Sequence, residues 1–127
     1  MTRLVAVGTV RNEEDIIESF VRHTLRFVDE LRLIDHLSTD RTPAILAALQ
    51  AEGLAVHVTR HSGQTLVQEL LVTQLAREAF RGGADWVIPL DADEFIEAGD
   101  LRAVLADLDR TAPGAIGWWP WVSMVPH

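Results

Sequence analysis

The sequence predicts an α/β fold, a mostly parallel Rossmann-like sheet with helices on both faces. Three observations predict it. Short apolar, β-branched-rich runs alternate with segments of helical spacing along the chain. The first run, Leu4 to Val10, is apolar with little alternation, as in a strand covered on both faces. Polar and acidic clusters directly follow three of those runs, at Arg11-Asn12-Glu13, at 35–40 and at 91–94. In a parallel sheet with right-handed crossovers, that is where ligands bind, outside the carboxyl ends of the strands.

The elements follow in order. Leu4 to Val10 reads as the first strand. Asn12 is placed to cap the next helix, and Glu13, Glu14 and Asp15 suit the positive end of its dipole. Ile16, Ile17, Phe20, Val21 and Val28 recur at near-helical spacing and are candidate core residues. Leu31 to Asp35 is a second strand and 36–40 a polar loop. Thr42-Pro43 opens a helix, with proline at the first helical position, and Gly53 follows its end. Leu54 to Thr59 predicts a third strand. Thr65 and Gln68 have capping-box spacing before a helix lined by Leu66, Val67, Leu70, Leu71 and Leu75, which Gly82-Gly83 ends. Trp86 to Leu90 predicts a fourth strand, Asp100 a last helix cap, and Ala115 to Val122 a fifth strand.

Composition narrows the function classes. The chain has 127 residues, 48% hydrophobic and 24% charged, which is ordinary for one globular domain. Its net charge of −8 argues against nucleic-acid binding by phosphate neutralisation and against anionic membrane surfaces. Cysteine is absent, which excludes disulfides, thiolate catalysis and cysteine metal sites. No apolar run reaches the roughly 18 residues of a membrane helix, and the amino terminus reads as a strand rather than a secretory signal, so the expected compartment is the cytoplasm.

The strongest chemical signal is Asp91-Ala92-Asp93, closing an apolar strand. Residues two apart in extended backbone point to the same side, so both carboxylates can face one cation. Hard oxygen ligands select magnesium or manganese. Read alone, the motif is more readily a polar turn, and Asp35 to Thr42 a capped turn into a helix; the apolar strand directly before Asp91 strengthens the metal reading. No Gly-x-Gly-x-x-Gly or Walker lysine follows the first strand, which disfavours a dinucleotide fold or P-loop. His57 and His61 read as solvent-facing residues straddling a strand end, and Trp118, Trp119 and Trp121 as core or interface.

In this order, the three segments resemble family 2 glycosyltransferases, which have the nucleotide-sugar-binding GT-A fold. The family's first loop usually reads aromatic-Asn-Glu, and Arg11-Asn12-Glu13 stands in its place. The second reads Asp-Asp/His/Asn-Gly-Ser-x-Asp-x-Thr, and Asp35-His36-Leu37-Ser38-Thr39-Asp40-Arg41-Thr42 matches except at Leu37, where glycine is usual. The metal motif matches Asp91-Ala92-Asp93, followed by Glu94-Phe95 as in one branch of the family. The likeness covers about residues 3 to 97.

The resemblance implies transfer of a sugar from a nucleoside-diphosphate sugar, UDP-linked, to an unidentified acceptor with help from Mn2+ or Mg2+. It implies that the backbone around Thr9 to Arg11 borders the nucleobase, with Asn12 and Glu13 in the same nucleotide-binding loop. Asp35 would hydrogen-bond the base, uracil. Asp91 would lie near the ribose or metal, and Asp93 would bind the metal directly. Gln64 and Gln68 stand near the start of the family's donor-contacting helix. The family's general base lies in the half of the domain after the metal motif, and this chain ends about 34 residues after Asp93. The expectation is therefore a single donor-binding domain over 1–127 without the usual acceptor half, whose activity as an enzyme stays open.

Two other readings remain. A haloacid-dehalogenase-type phosphotransferase also uses Asp-x-Asp after a strand, but after its first strand, and here the motif follows the fourth. A non-catalytic α/β module would bind a nucleotide sugar or self-associate through its tryptophan-rich end, covering bare apolar surface.

Overall fold

The computed structural model describes residues 3–61 and 68–91, together with the helical positions Ala103 and Asp107. The element order is β1 (Leu4–Val10), α1 (Ile17–Thr24), β2 (Glu30–His36), α2 (Thr42–Ala51), β3 (Val56–His61), α3 (Gln68–Arg81) and β4 (Trp86–Pro89). The four strands form one parallel sheet in the order β3-β2-β1-β4. The predicted α/β class and parallel sheet are therefore present.

This order explains where the helices lie. The chain steps outward from β1 to β2 to β3, then returns past β1 to β4. Right-handed crossovers put helices of opposite stepping direction on opposite faces. Accordingly, Leu4, Ala6 and Val10 of β1 pack with Ile17, Phe20 and Val21 of α1 and Leu46 and Leu49 of α2. The alternate residues Val5 and Val7 pack with Leu75 and Ala79 of α3. β1 is thus buried on both sides, which its unbroken apolar run predicts.

The first helix starts later than its sequence signals imply. Asn12 does not cap α1, which begins at Ile17 after a turn, and Ile16 at the cap position makes no side-chain capping bond. Asn12 instead has a left-handed backbone, φ 52°, and its side chain is used elsewhere. Val28 lies beyond the end of α1 at Thr24 but is still buried in the larger core. β3 runs from Val56 to His61 rather than from Leu54 to Thr59, so His57 and His61 both lie within the strand. Of the expected helix face on α3, Leu75 is buried and Leu71 packs at its margin. Thr65, Leu66, Val67, Asp100, the fifth strand and Trp118, Trp119 and Trp121 lie outside the described residues.

Among the described residues, no helix is long and apolar enough to cross a membrane.

Candidate functional site at the carboxyl edge of the sheet

The strand order reverses between β1 and β4, and in open parallel sheets the carboxyl ends of the strands at such a reversal are where ligands bind. The close approach of these strands depends on Gly8. Leu90 N–H donates to Val7 O at 2.9 Å, and a Cβ at position 8 would collide with the Leu90 carbonyl oxygen. Asp91 follows at once, exposed at the rim.

The loops after β1 and β2 are bonded to each other. Asn12 N–H donates to Ser38 Oγ at 2.9 Å. Asn12 Oδ1 accepts from Thr39 N–H at 2.7 Å and Asp40 N–H at 3.3 Å. Glu13 N–H donates to Thr42 Oγ1 at 2.9 Å, and Glu14 N–H to Asp40 Oδ2 at 3.2 Å. In return Glu14 Oε1 accepts from Arg41 N–H at 2.9 Å. Asp40 Oδ1 also takes Thr42 N–H at 2.8 Å, which satisfies a backbone donor at the start of α2. Desolvation pushes the Asp40 carboxyl up, but hydrogen bonds from the Thr42 side chain and from the backbone of Thr42, Glu14 and Asp40 outweigh it, so it sits below its ordinary value.

Two residues in these loops have left-handed backbone, Asn12 at φ 52° and Leu37 at φ 53°. Asparagine tolerates this conformation because its short polar side chain bonds locally. Leu37 stands where glycine is usual in the resembling loop, and its φ shows why: glycine takes this conformation without a Cβ penalty.

Asp35 is the buried acid of the site, 2% exposed. Its Oδ1 accepts the Ser38 hydroxyl at 2.5 Å. Its Oδ2 is buried and has no hydrogen bond, while Arg60 Nη1 of β3 stands 3.6 Å away in an ion pair. The two residues are register partners across β2 and β3.

The expected nucleotide-binding residues therefore converge in part. Arg11, Asn12, Glu13 and Asp35 gather in the joined loops, and Thr9 precedes them, half-buried, on β1. Asp91 lies at the end of the neighbouring strand. Gln68 is the first residue of α3. Asp93 and Gln64 lie outside the described residues. Among the described residues, no group of three or more His, Cys, Asp or Glu side chains could hold a metal ion.

Sequence reasoning missed Arg60, Ser38 as the support of Asp35, and Asn12 as the bridge between loops. A strand-end arginine has no local signature; only the register puts it beside Asp35. His57 is indeed exposed, at 63%, yet its Nε2 lies 2.9 Å from Glu30 Oε2. Glu30 Oε1 also pairs with Arg3 at 3.2 Å and Arg32 at 3.3 Å. That cluster lies toward the amino end of the sheet, away from the joined loops.

With the loops in place, comparison with known proteins decides the family. The model of glycosyl transferase family 2 matches residues 6–127. The chain belongs to glycosyl transferase family 2. Among solved structures, it is similar to the mannosyltransferase PcManGT from Pyrobaculum calidifontis, in complex with GDP-Man and Mn2+. The TM-score is 0.63 at 22% identity, over 91% of this chain and 34% of that one. The chain therefore spans about a third of the length of that structure, and the likeness shows the shared GT-A fold. No curated protein matches the chain.

Proposed function

We propose that this family 2 glycosyltransferase domain binds a nucleoside-diphosphate sugar at the carboxyl edge of the sheet and transfers the sugar to an acceptor with the help of a divalent cation. The observation that carries this reading is the bonding of the loops around Asn12 and Asp35 to each other at the carboxyl edge of the sheet, with Asp91 just past the end of the neighbouring strand β4. The PcManGT complex, which holds GDP-Man and Mn2+, supports it by analogy.

The residues have distinct roles. The backbone around Thr9 to Arg11 borders the base, and Asn12 and Glu13 hold that loop against the second one. Asp35, its Oδ1 held by Ser38, hydrogen-bonds the base. The base is uracil, so the donor is UDP-linked. Asp91, exposed at the rim, and Asp93, two residues on, bind Mn2+ or Mg2+, since carboxylate oxygens suit hard cations. Such a cation, when bound, neutralises the charge that develops on the departing diphosphate.

In the reaction, an acceptor oxygen forms a bond to the anomeric carbon. The bond from that carbon to the diphosphate oxygen breaks, and the nucleoside diphosphate leaves with the electron pair. The acceptor proton passes to a general base. No described residue is assigned that part, so the donor half of the reaction is what this chain's residues account for.

Calorimetry with UDP, with and without manganese, tests the reading. The parent should bind UDP more tightly with manganese, and Asp93→Ala should lose that gain. If Asp93→Ala binds UDP with manganese as well as the parent does, the metal assignment fails.

A further inference from the structure

Resting on the donor-binding reading above, we propose that the Arg11 guanidinium holds the diphosphate of the donor. Arg11 follows Val10 directly, so it leaves the sheet from β1, the strand between β2 and β4. On one side, Val10 is the register partner of Asp35. On the other, Leu90 N–H donates to Val7 O, and Asp91 comes next. Arg11 therefore stands at the strand reversal, between the acid that closes β2 and the acid that follows β4.

Arg11 is exposed, and among the described residues its guanidinium has neither a hydrogen bond nor an ion pair. The other arginines near this edge are placed differently. Arg60 of β3 is paired with Asp35. Arg41 stands at the cap of α2, which follows β2, so it lies a strand further from Asp91.

The surroundings call for a positive charge. Glu13, Glu14, Asp15, Asp40 and Asp91 all belong to this edge, and a diphosphate brings negative charge of its own. A divalent cation held by Asp91 and Asp93 is matched by those two carboxylates and leaves the diphosphate largely uncompensated. A guanidinium suits the task. It stays charged, and its planar fork of donors meets phosphate oxygens two at a time. Where the resembling family's first loop usually has an aromatic residue, this chain carries a cation. The contact is thus argued from this chain's own departure from the pattern.

Titrations of UDP and uridine in the presence of manganese, followed by protein NMR so that weak binding is read too, test this on the parent, Arg11→Ala and Arg11→Lys. Uridine has the base and ribose of UDP without the diphosphate. Arg11→Ala should weaken UDP by roughly tenfold and leave uridine unchanged, so the advantage of UDP over uridine shrinks by the same factor. Arg11→Lys should keep part of that advantage, because it retains the charge but not the fork. Arg11 is exposed, so its variants are expected to fold, which their amide spectra would show directly. An equal loss of UDP and uridine in Arg11→Ala would put the side chain on the base and overturn the proposal. If the parent does not bind UDP even with manganese, the donor-binding reading falls and takes this one with it. If the parent binds UDP with manganese and Arg11→Ala binds it as tightly, only this proposal fails.

Discussion

At the scale of single residues, Leu37 is the clearest departure between the chain and the loop it carries. Its φ of 53° costs an L-residue about 1–2 kcal/mol relative to glycine. The loop keeps that turn because its neighbours are bonded into place: Ser38 to Asp35 and Thr39 to Asn12. Leu37→Gly should therefore stabilise the protein by about 1 kcal/mol, less whatever glycine's freedom returns to the unfolded chain. Thermal unfolding followed by circular dichroism would show it as a rise of a few degrees. A fall would mean that the Leu37 side chain contributes more packing than its backbone costs. Asn12 makes the complementary case. It takes the same backbone conformation, but its side chain collects the amides of Thr39 and Asp40.

At the scale of elements, Asp40 joins two connections. It accepts from Glu14 N–H in the loop after β1 and from Thr42 N–H at the start of α2. Its carboxyl is held below the ordinary value of 3.8, so the sign is that of a carboxylate favoured by folding. The stability it contributes is present above pH 3.8 and is lost as pH falls through the lower folded value. Asp40→Asn should thus be less stable than the parent near neutrality. The gap should narrow steadily in acid, as read by urea unfolding at a series of pH values. A gap that stays constant into acid would show that charge is not what Asp40 supplies. The helix boundaries teach the same lesson. The acidic residues after Asn12 look like a first helical turn, but Glu13 and Glu14 are spent on bonds to the second loop, and α1 starts only at Ile17.

At the scale of the whole molecule, the sheet separates a larger core from a smaller one among the described residues. The larger, under α1 and α2, contains Phe20, Leu31, Leu33, Leu46 and Leu49. The smaller, under α3, contains Leu75 and Ala79 with Val5, Val7 and Ile34. Phe20 is wholly buried in the larger one. Phe20→Ala should cost about 3–5 kcal/mol, a large share of the roughly 5–15 kcal/mol that holds a domain folded. The urea midpoint should drop by a corresponding amount. A near-parental midpoint would mean that the core closes over the lost ring. The place of the candidate site follows from this same topology, since the strand order turns back on itself at β1 and β4.

Most of the architecture was legible in the chain because burial on both faces leaves unbroken apolar runs, as in Leu4–Val10, and because Pro43 and Gly53 bound α2 by their own backbone chemistry. The place of the acidic segments at 35 and 91, at and just past strand ends, was legible too, because the apolar runs before them mark the strands. What only the tertiary structure decided is pairing. Asn12 bridges rather than caps, Glu30 gathers Arg3, Arg32 and His57, and Arg60 stands beside Asp35. Each of these joins residues from separate segments, and their neighbourhood is set by strand register and crossover, which periodicity along one segment does not encode.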